Sequence, residues 1–290
     1  EKSFQKTKEE ILKTIRKSAE NPAIPFAVFK VTGIFQSELL EKAQTEAELS
    51  EEEQELFDHS KDLLIEICEL AHALNVRLFI DAEESWIQTT IDQLTYEMMA
   101  KYNQKTAIIY NTFQMYRHDM LVNLKEAIDA AKEENYFLGV KLVRGAYLEK
   151  ERQKAHDDEY SEPLHVCKED TDRDYDLGVE LCLKHVDHVH FCMGTHNEAS
   201  CLRLCDAMNA LQIPSNHPNI YFAQLLGMSD NISYNLAASG YNVAKYVPYG
   251  PVDAVMPYLF RRAEENSSIA GQTSREFALL QKEVNRRNNA

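Results

Sequence analysis

Tyr258, Arg261, Arg262 and Glu265 stand at i, i+3, i+4 and i+7 near the end of the chain. On a helix that spacing gathers the four side chains into one polar stripe, with Leu259, Phe260 and Ala263 off it. Two neighbouring guanidiniums match a carboxylate through forked hydrogen bonds, so the stripe suits a small anionic substrate. Glu265 is within reach of either arginine. A solvated helix laced by i,i+4 ion pairs has the same spacing, and both readings stand at this point. Pro257 starts or kinks the helix, because its ring cannot continue a regular one.

A second set of polar residues falls at the ends of short apolar runs: Lys30 with Thr32; Asp81, Glu83 and Glu84; Asn111 and Gln114; Lys141, Arg144 and Tyr147; Thr195, His196 and Asn197; Gln224; Tyr246 and Tyr249. If those runs are strands, alternation puts Asp81 and Glu83 on one side and Lys141 with Val143 and Gly145 on one side. Lys141 then points into a barrel and Arg144 elsewhere. A lysine in mid-strand either pairs with a carboxylate for structural reasons or, desolvated, serves as a Schiff-base nucleophile in a barrel aldolase. His196 and Asn197 open a helix, where they bind a ligand or cap the helix. His188 and His190 form an H-x-H pair at the start of a strand, the end away from barrel chemistry, and read as ordinary surface or packing residues. Cys201 and Cys205, four apart on a helix, read as two small buried residues, so no metal site is expected.

These residues need elements to position them. Runs rich in β-branched and aromatic residues at 26–32, 77–81, 107–113, 137–147, 189–195, 220–226 and 243–249 predict seven strands. Helical periodicity over 6–19, 51–74, 86–102, 117–133, 175–185, 197–211 and 232–238 places a helix before the first strand and one after nearly every other. The charged run 45–55 is expected to be a solvated loop. The pattern predicts an α/β fold, an eight-fold TIM-like barrel whose opening strand lies upstream of residue 1, as a single domain over 1–290. Active sites of such barrels are built at the carboxyl ends of the strands, where the polar residues above fall.

Composition removes several function classes. With 31 Lys and Arg against 47 Asp and Glu, the formal net charge is -16, which repels phosphate backbones and argues against a nucleic-acid partner. The six cysteines form no C-x-x-C pair and read as free thiols of a reducing compartment. There is no G-x-G-x-x-G and no P-loop, so a Rossmann-type nucleotide site has no support. No apolar run approaches the ~18 residues that cross a bilayer, and a start inside charged, helix-forming sequence is expected to follow an upstream portion.

The blocks FAVFKVTG, LFIDAEESW, KLVRGAYLEKE, GTHNE, YFAQLLGMSD, YNVAKYVPYGP and PYLFRRAEEN, in this order, resemble the proline dehydrogenases, both monofunctional enzymes and the matching domain of bifunctional proline-utilisation proteins. The resemblance implies a distorted barrel with its last helix over the strand ends, and oxidation of L-proline to pyrroline-5-carboxylate by hydride transfer to FAD. It implies that Lys141, Asp81 and Glu83 are catalytic, and that Arg261 and Arg262 bind the substrate carboxylate. Glu265 and Asp81 would hold the guanidiniums, with Lys30 completing the ion-pair set. Tyr258, Tyr246, Tyr147 and Leu225 would wall the pyrrolidine ring, Tyr246 favouring proline over hydroxyproline. FAD contacts fall on Asn111, Lys141, Arg144, Gly145, Ala146, Thr195, His196, Asn197 and Gln224. A membrane quinone is the implied electron acceptor. The short connection after the first strand resembles bacterial monofunctional forms, which implies a bacterial cytoplasm at the periphery of the inner membrane, with a mitochondrion as the eukaryotic alternative. A barrel that only binds proline is the non-enzymatic alternative.

Overall fold

The computed structural model describes residues 2–250, 252–253, 255–256, 258–260 and 272–288. They divide into two compact units, Glu1–Lys245 and Tyr246–Ala290. The first is built on a parallel sheet of seven strands in sequential order: β1 (Phe26–Lys30), β2 (Arg77–Asp81), β3 (Ile109–Gln114), β4 (Leu138–Val143), β5 (Val189–Gly194), β6 (Ile220–Leu225) and β7 (Val243–Tyr246). The order is linear, with β1 and β7 at its edges.

The helices are α1 (Lys2–Glu20), α2 (Ser37–Gln44), α3 (Glu51–Ala73), α4 (Ser85–Tyr102), α5 (Met120–Glu133), α6 (Leu148–Asp157), α7 (Lys168–Lys184), α8 (Glu198–Ala210) and α9 (Asp230–Ala238). In the second unit α10 (Gln272–Asn288) is described. The charged run corrects one expectation: Thr45 to Ser50 connect two helices, but Glu51 onward is already helical. Ser50 accepts from the Glu53 amide while the Glu53 side chain accepts from the Ser50 amide, a reciprocal cap that starts α3 inside the acidic stretch. Two helices, α2 and α6, fall where none was predicted; both are short and α6 is strongly polar.

The sheet curls. Phe26 of β1 meets Tyr221 of β6 edge to face at 4.9 Å, and Arg77 of β2 donates to the Tyr221 hydroxyl at 3.3 Å and to the Pro218 carbonyl at 3.2 Å. On a flat sheet strands five apart would be separated by about 24 Å. The fold is an open, curled version of a distorted (βα)8 barrel.

Curling sorts side chains by parity. Leu138, Val140 and Leu142 of β4, and Val189, Phe191 and Met193 of β5, join the large core shared with the helices. The residues between them face inward, where Phe26, Phe79, Tyr110 and Cys192 form a separate interior cluster with Val28, Tyr221, Ala223 and Ala244 around it. Phe26 stacks on Phe79 at 4.2 Å and Tyr110 stands on edge against both. His190, on the same inward parity, is buried beside Phe137, and burial pushes its pKa down to about 4. Burial inside the sheet rather than on a surface is what its sequence position could not show.

Gly139 leaves room for this interior. A Cβ there would lie 2.3 Å from the Ile109 carbonyl oxygen and 2.8 Å from Tyr110 Cγ. Gly139→Ala is therefore expected to lower stability by about 1–3 kcal/mol, read as a lower urea midpoint with an unchanged denaturant slope.

Candidate active site

The interior parity that carries aromatic rings low in the sheet carries charges at the carboxyl ends of the same strands. Lys30 ends β1 and stands opposite Asp81, the last residue of β2. Lys141 occupies the same inward parity on β4, opposite Thr112 and Cys192. Lys141 Nζ donates to Asp81 Oδ1, and both side chains are close to nine-tenths buried. Lys30 Nζ donates to the hydroxyl of Tyr147, a buried residue that precedes α6, and lies 5.0 Å from the centre of its ring. Two cation-centred pairs thus occupy one end of the curled sheet. Leu225, at the end of β6, shares the inward parity.

Glu83 lies just beyond β2 and is buried. Its carboxylate accepts from the Thr32 amide at 2.9 Å and the Thr32 hydroxyl at 2.6 Å, so it ties the end of β1 to the end of β2. Burial raises its pKa, with the Thr32 hydrogen bonds and the charge of Lys30 acting against the rise. Its own backbone is fixed by Gln88, which accepts from the amide, and by Gln114, which donates to the carbonyl.

A different group gathers on the outer face beyond β4 and β5. Arg144 donates to Asp172 at 2.6 Å, to Thr195 Oγ1 at 2.6 Å and to Ser200 Oγ at 3.0 Å, and lies 4.1 Å from the Tyr175 ring centre. Thr195 Oγ1 also accepts from the Asn197 amide, and Asn197 caps α8 by accepting from Ser200. His196 Nδ1 pairs with Ser229 Oγ at 3.0 Å. Gln224 is buried, donating to the Thr195 carbonyl and accepting from Ser233.

Gly145 and Ala146 follow β4 as exposed backbone. Gly145 has φ +139°, and a Cβ on it would lie 2.4 Å from the Tyr116 ring, so both conformation and space require glycine. Asn111 is fully buried and faces α4, donating to Asp92 at 2.7 Å. The structure thus brings Lys30, Asp81, Lys141 and Tyr147 together, places Arg144, Thr195 and Asn197 in a neighbouring network, and sets Asn111 and Gln224 behind the strands. In the second unit Tyr246 and Tyr258 stack with ring centres 6.3 Å apart. Arg261, Arg262 and Glu265 lie outside the described residues.

Sequence reading missed Thr32 as the partner of Glu83, the Asp172 and Ser200 partners of Arg144, and Asp92. Their helical or loop context supplies no periodic signal, since each is defined by the partner it meets across the fold.

The family model for proline dehydrogenase matches residues 1–275. The chain belongs to the proline dehydrogenase family. Human "Proline dehydrogenase 1, mitochondrial" is 41% identical over 221 residues, covering 75% of this chain and 37% of that protein. "Carbapenem antibiotics biosynthesis protein CarD" of Pectobacterium carotovorum subsp. carotovorum is 33% identical over 287 residues, covering 99% of this chain and 74% of its own. Proline utilization A from Bdellovibrio bacteriovorus, in a crystal structure of the protein inactivated by N-propargylglycine, superposes with a TM-score of 0.81 at 21% identity. That match covers 93% of this chain and 29% of the larger protein, and it supports the fold. The chain spans about two fifths of the animal proline dehydrogenases it matches.

Asp92 yields a pH prediction. Although partly exposed as a residue, its carboxyl is crowded by protein, which pushes its pKa up to about 6 against the pull of Asn111 and Gln88. Its ordinary value lies near 4, so between pH ~4 and ~6 the folded state binds the extra proton and stability falls as pH rises. Asp92→Asn keeps an oxygen for both donors and removes the titration. The stability difference between variant and parent, from urea melts, should therefore shift in favour of the variant across that window and level off above it.

Proposed function

We propose that this chain is the catalytic part of an FAD-dependent proline dehydrogenase that oxidises L-proline to pyrroline-5-carboxylate. The observation that carries the reading is the Asp81–Lys141 ion pair beside the Lys30–Tyr147 pair, at the carboxyl ends of an open parallel barrel in a chain of this family.

The residues present fit a flavin dinucleotide. Lys141 on the inward side, and Arg144, Thr195, His196 and Asn197 in the neighbouring network, set cations and polar groups at the ends of two adjacent strands in a chain of net charge -16, group types suited to the polar edge of a ring system and to a pyrophosphate respectively. Gly145 and Ala146 add exposed backbone with no bulky side chain in the way. FAD, when bound, supplies the hydride acceptor. Asp81 fixes the Lys141 ammonium, a cation that would hold the polar edge of a bound flavin and would favour its reduced, anionic form. Lys30 holds the Tyr147 ring in place as one wall for the pyrrolidine, with Leu225 on the same inward parity; the family resemblance alone adds Tyr246 and Tyr258, with Tyr246 selecting proline over hydroxyproline.

Arg261 and Arg262, with Glu265 on the same helical stripe, take the substrate carboxylate. Binding a group remote from the reacting carbon orients that carbon, an effect that can contribute several kcal/mol. A membrane quinone receives the electrons. No helix among the described residues is long and apolar enough to cross a membrane.

An ion-paired lysine suits a fixed cation better than the neutral amine that an aldolase nucleophile needs, which sets the Schiff-base reading of Lys141 behind the flavin one. Anaerobic mixing of FAD-loaded protein with L-proline is expected to bleach the flavin bands; unchanged absorbance would refute the activity, and borohydride trapping of a carbonyl substrate would favour the aldolase. Arg261→Met or Arg262→Met should weaken proline binding about 10- to 100-fold with the flavin spectrum intact, as loss of a charged hydrogen bond predicts. Lys141→Ala should reduce FAD content or the rate of flavin reduction, and full activity in that variant would remove Lys141 from the site.

A further inference from the structure

Glu151 of α6 has no solvent exposure, an unusual state for a carboxylate, and it pairs with no cation among the described contacts that place it. Its Oε1 accepts from the backbone amide of Ser85 at 2.7 Å and its Oε2 from the Ser85 hydroxyl at 2.5 Å. Ser85 is the first residue of α4, where an amide has no partner within the helix; the preceding Glu84 makes no side-chain cap bond and the first turn carries no acidic residue. Glu151 therefore supplies from another helix the acceptor and the negative charge that an N-terminus favours.

The chain segments joined in this way are those that carry the candidate site. Ser85 follows Asp81 and Glu83 by a few residues and opens α4 after the connection from β2. Glu151 sits one helical turn after Tyr147, and its amide donates to the Tyr147 carbonyl at 2.9 Å. Two outer contacts lie along the same seam. Lys150 pairs with Glu84 at 2.6 Å, and Lys154 pairs with Glu41 at 2.9 Å while lying over the Trp86 ring. Both are partly or largely exposed at the lysine, where ion pairs contribute little. The buried Glu151–Ser85 contact is the one with the burial and directionality to set the distance between the two connections.

We propose that Glu151 is a positioning residue: by latching α6 to the start of α4 it holds Tyr147, and through it Lys30, at the height of the Asp81–Lys141 pair. The inference rests on the functional reading above for its consequence, proline binding, but not for the latch itself.

Two measurements separate these levels. Hydrogen exchange on the FAD-loaded protein should show the amides of Ser85 and of residues 145–148 losing protection together in Glu151→Ala and regaining most of it in Glu151→Gln, which keeps an acceptor for the amide. Independent exchange of the two segments overturns the latch whatever the protein catalyses. Steady-state kinetics should show Glu151→Ala raising KM for L-proline about tenfold or more with kcat changed less than threefold and flavin absorbance unaltered, Glu151→Gln restoring most of the loss. In a Tyr147→Ala background, which removes the ring itself, the same Glu151→Ala change should raise KM less than twofold; a full multiplicative effect overturns action through Tyr147. Should Glu151→Ala fail to fold, Ser85→Ala removes only the hydroxyl contact, and an unchanged KM in that variant overturns the proposal. A parent protein that proline does not bleach refutes the functional reading and leaves the exchange experiment to decide the latch.

Discussion

A buried ammonium and a buried carboxylate must meet, or neither can stay. Lys141 and Asp81 lie two strands apart, and each would carry a large desolvation cost alone. Their contact is possible because the sheet curls and because parallel register places both on the inward parity. The ion pair does not by itself add much stability, since two apolar residues of similar size would do as well. What it does is fix an ammonium and a carboxylate at the carboxyl ends of the strands, the end at which barrels of this kind build their sites, and the neighbouring polar contacts are arranged around that constraint.

Around the pair, side chains at one strand end or its connection repeatedly hydrogen-bond backbone or hydroxyl groups of another. Glu83 accepts from Thr32, Gln114 donates to the Glu83 carbonyl, Arg144 reaches Thr195 and Ser200, and Glu151 accepts from Ser85. Each bond spans elements far apart in sequence but adjacent at the strand ends. Loops at an active site have few apolar contacts to hold them, so polar cross-links of this kind do the holding. The price is a set of buried carboxyls, of which Asp92 and Glu83 have raised pKa values, and with it a sensitivity of the fold to pH.

The elements were largely legible in advance because strand and helix periodicities are properties of the sequence. Arg77–Asp81 forms the strand expected from its alternation. The apolar stripe of α4, with Ile87, Ile91, Leu94 and Met98 buried, follows its 3.6-residue period. The run over 137–147 ends early as a strand, at Val143, because Gly145 adopts a left-handed φ against the Tyr116 ring. The short helices α2 and α6 were not legible: α6 has only Glu151 and Ala155 buried, too few for an apolar stripe.

From the sequence alone come the parallel βα alternation and the inward parity of Lys141 against the outward parity of Arg144, because parity and spacing are fixed by local geometry, and the family, through its ordered motif blocks. The partners came only from the tertiary structure. That Lys141 meets Asp81, Lys30 meets Tyr147, Asn111 turns to Asp92 and Glu151 reaches Ser85 depends on how strongly the sheet curls and how each helix docks on it. Those quantities are sums over many long-range contacts, and no short stretch of residues encodes them.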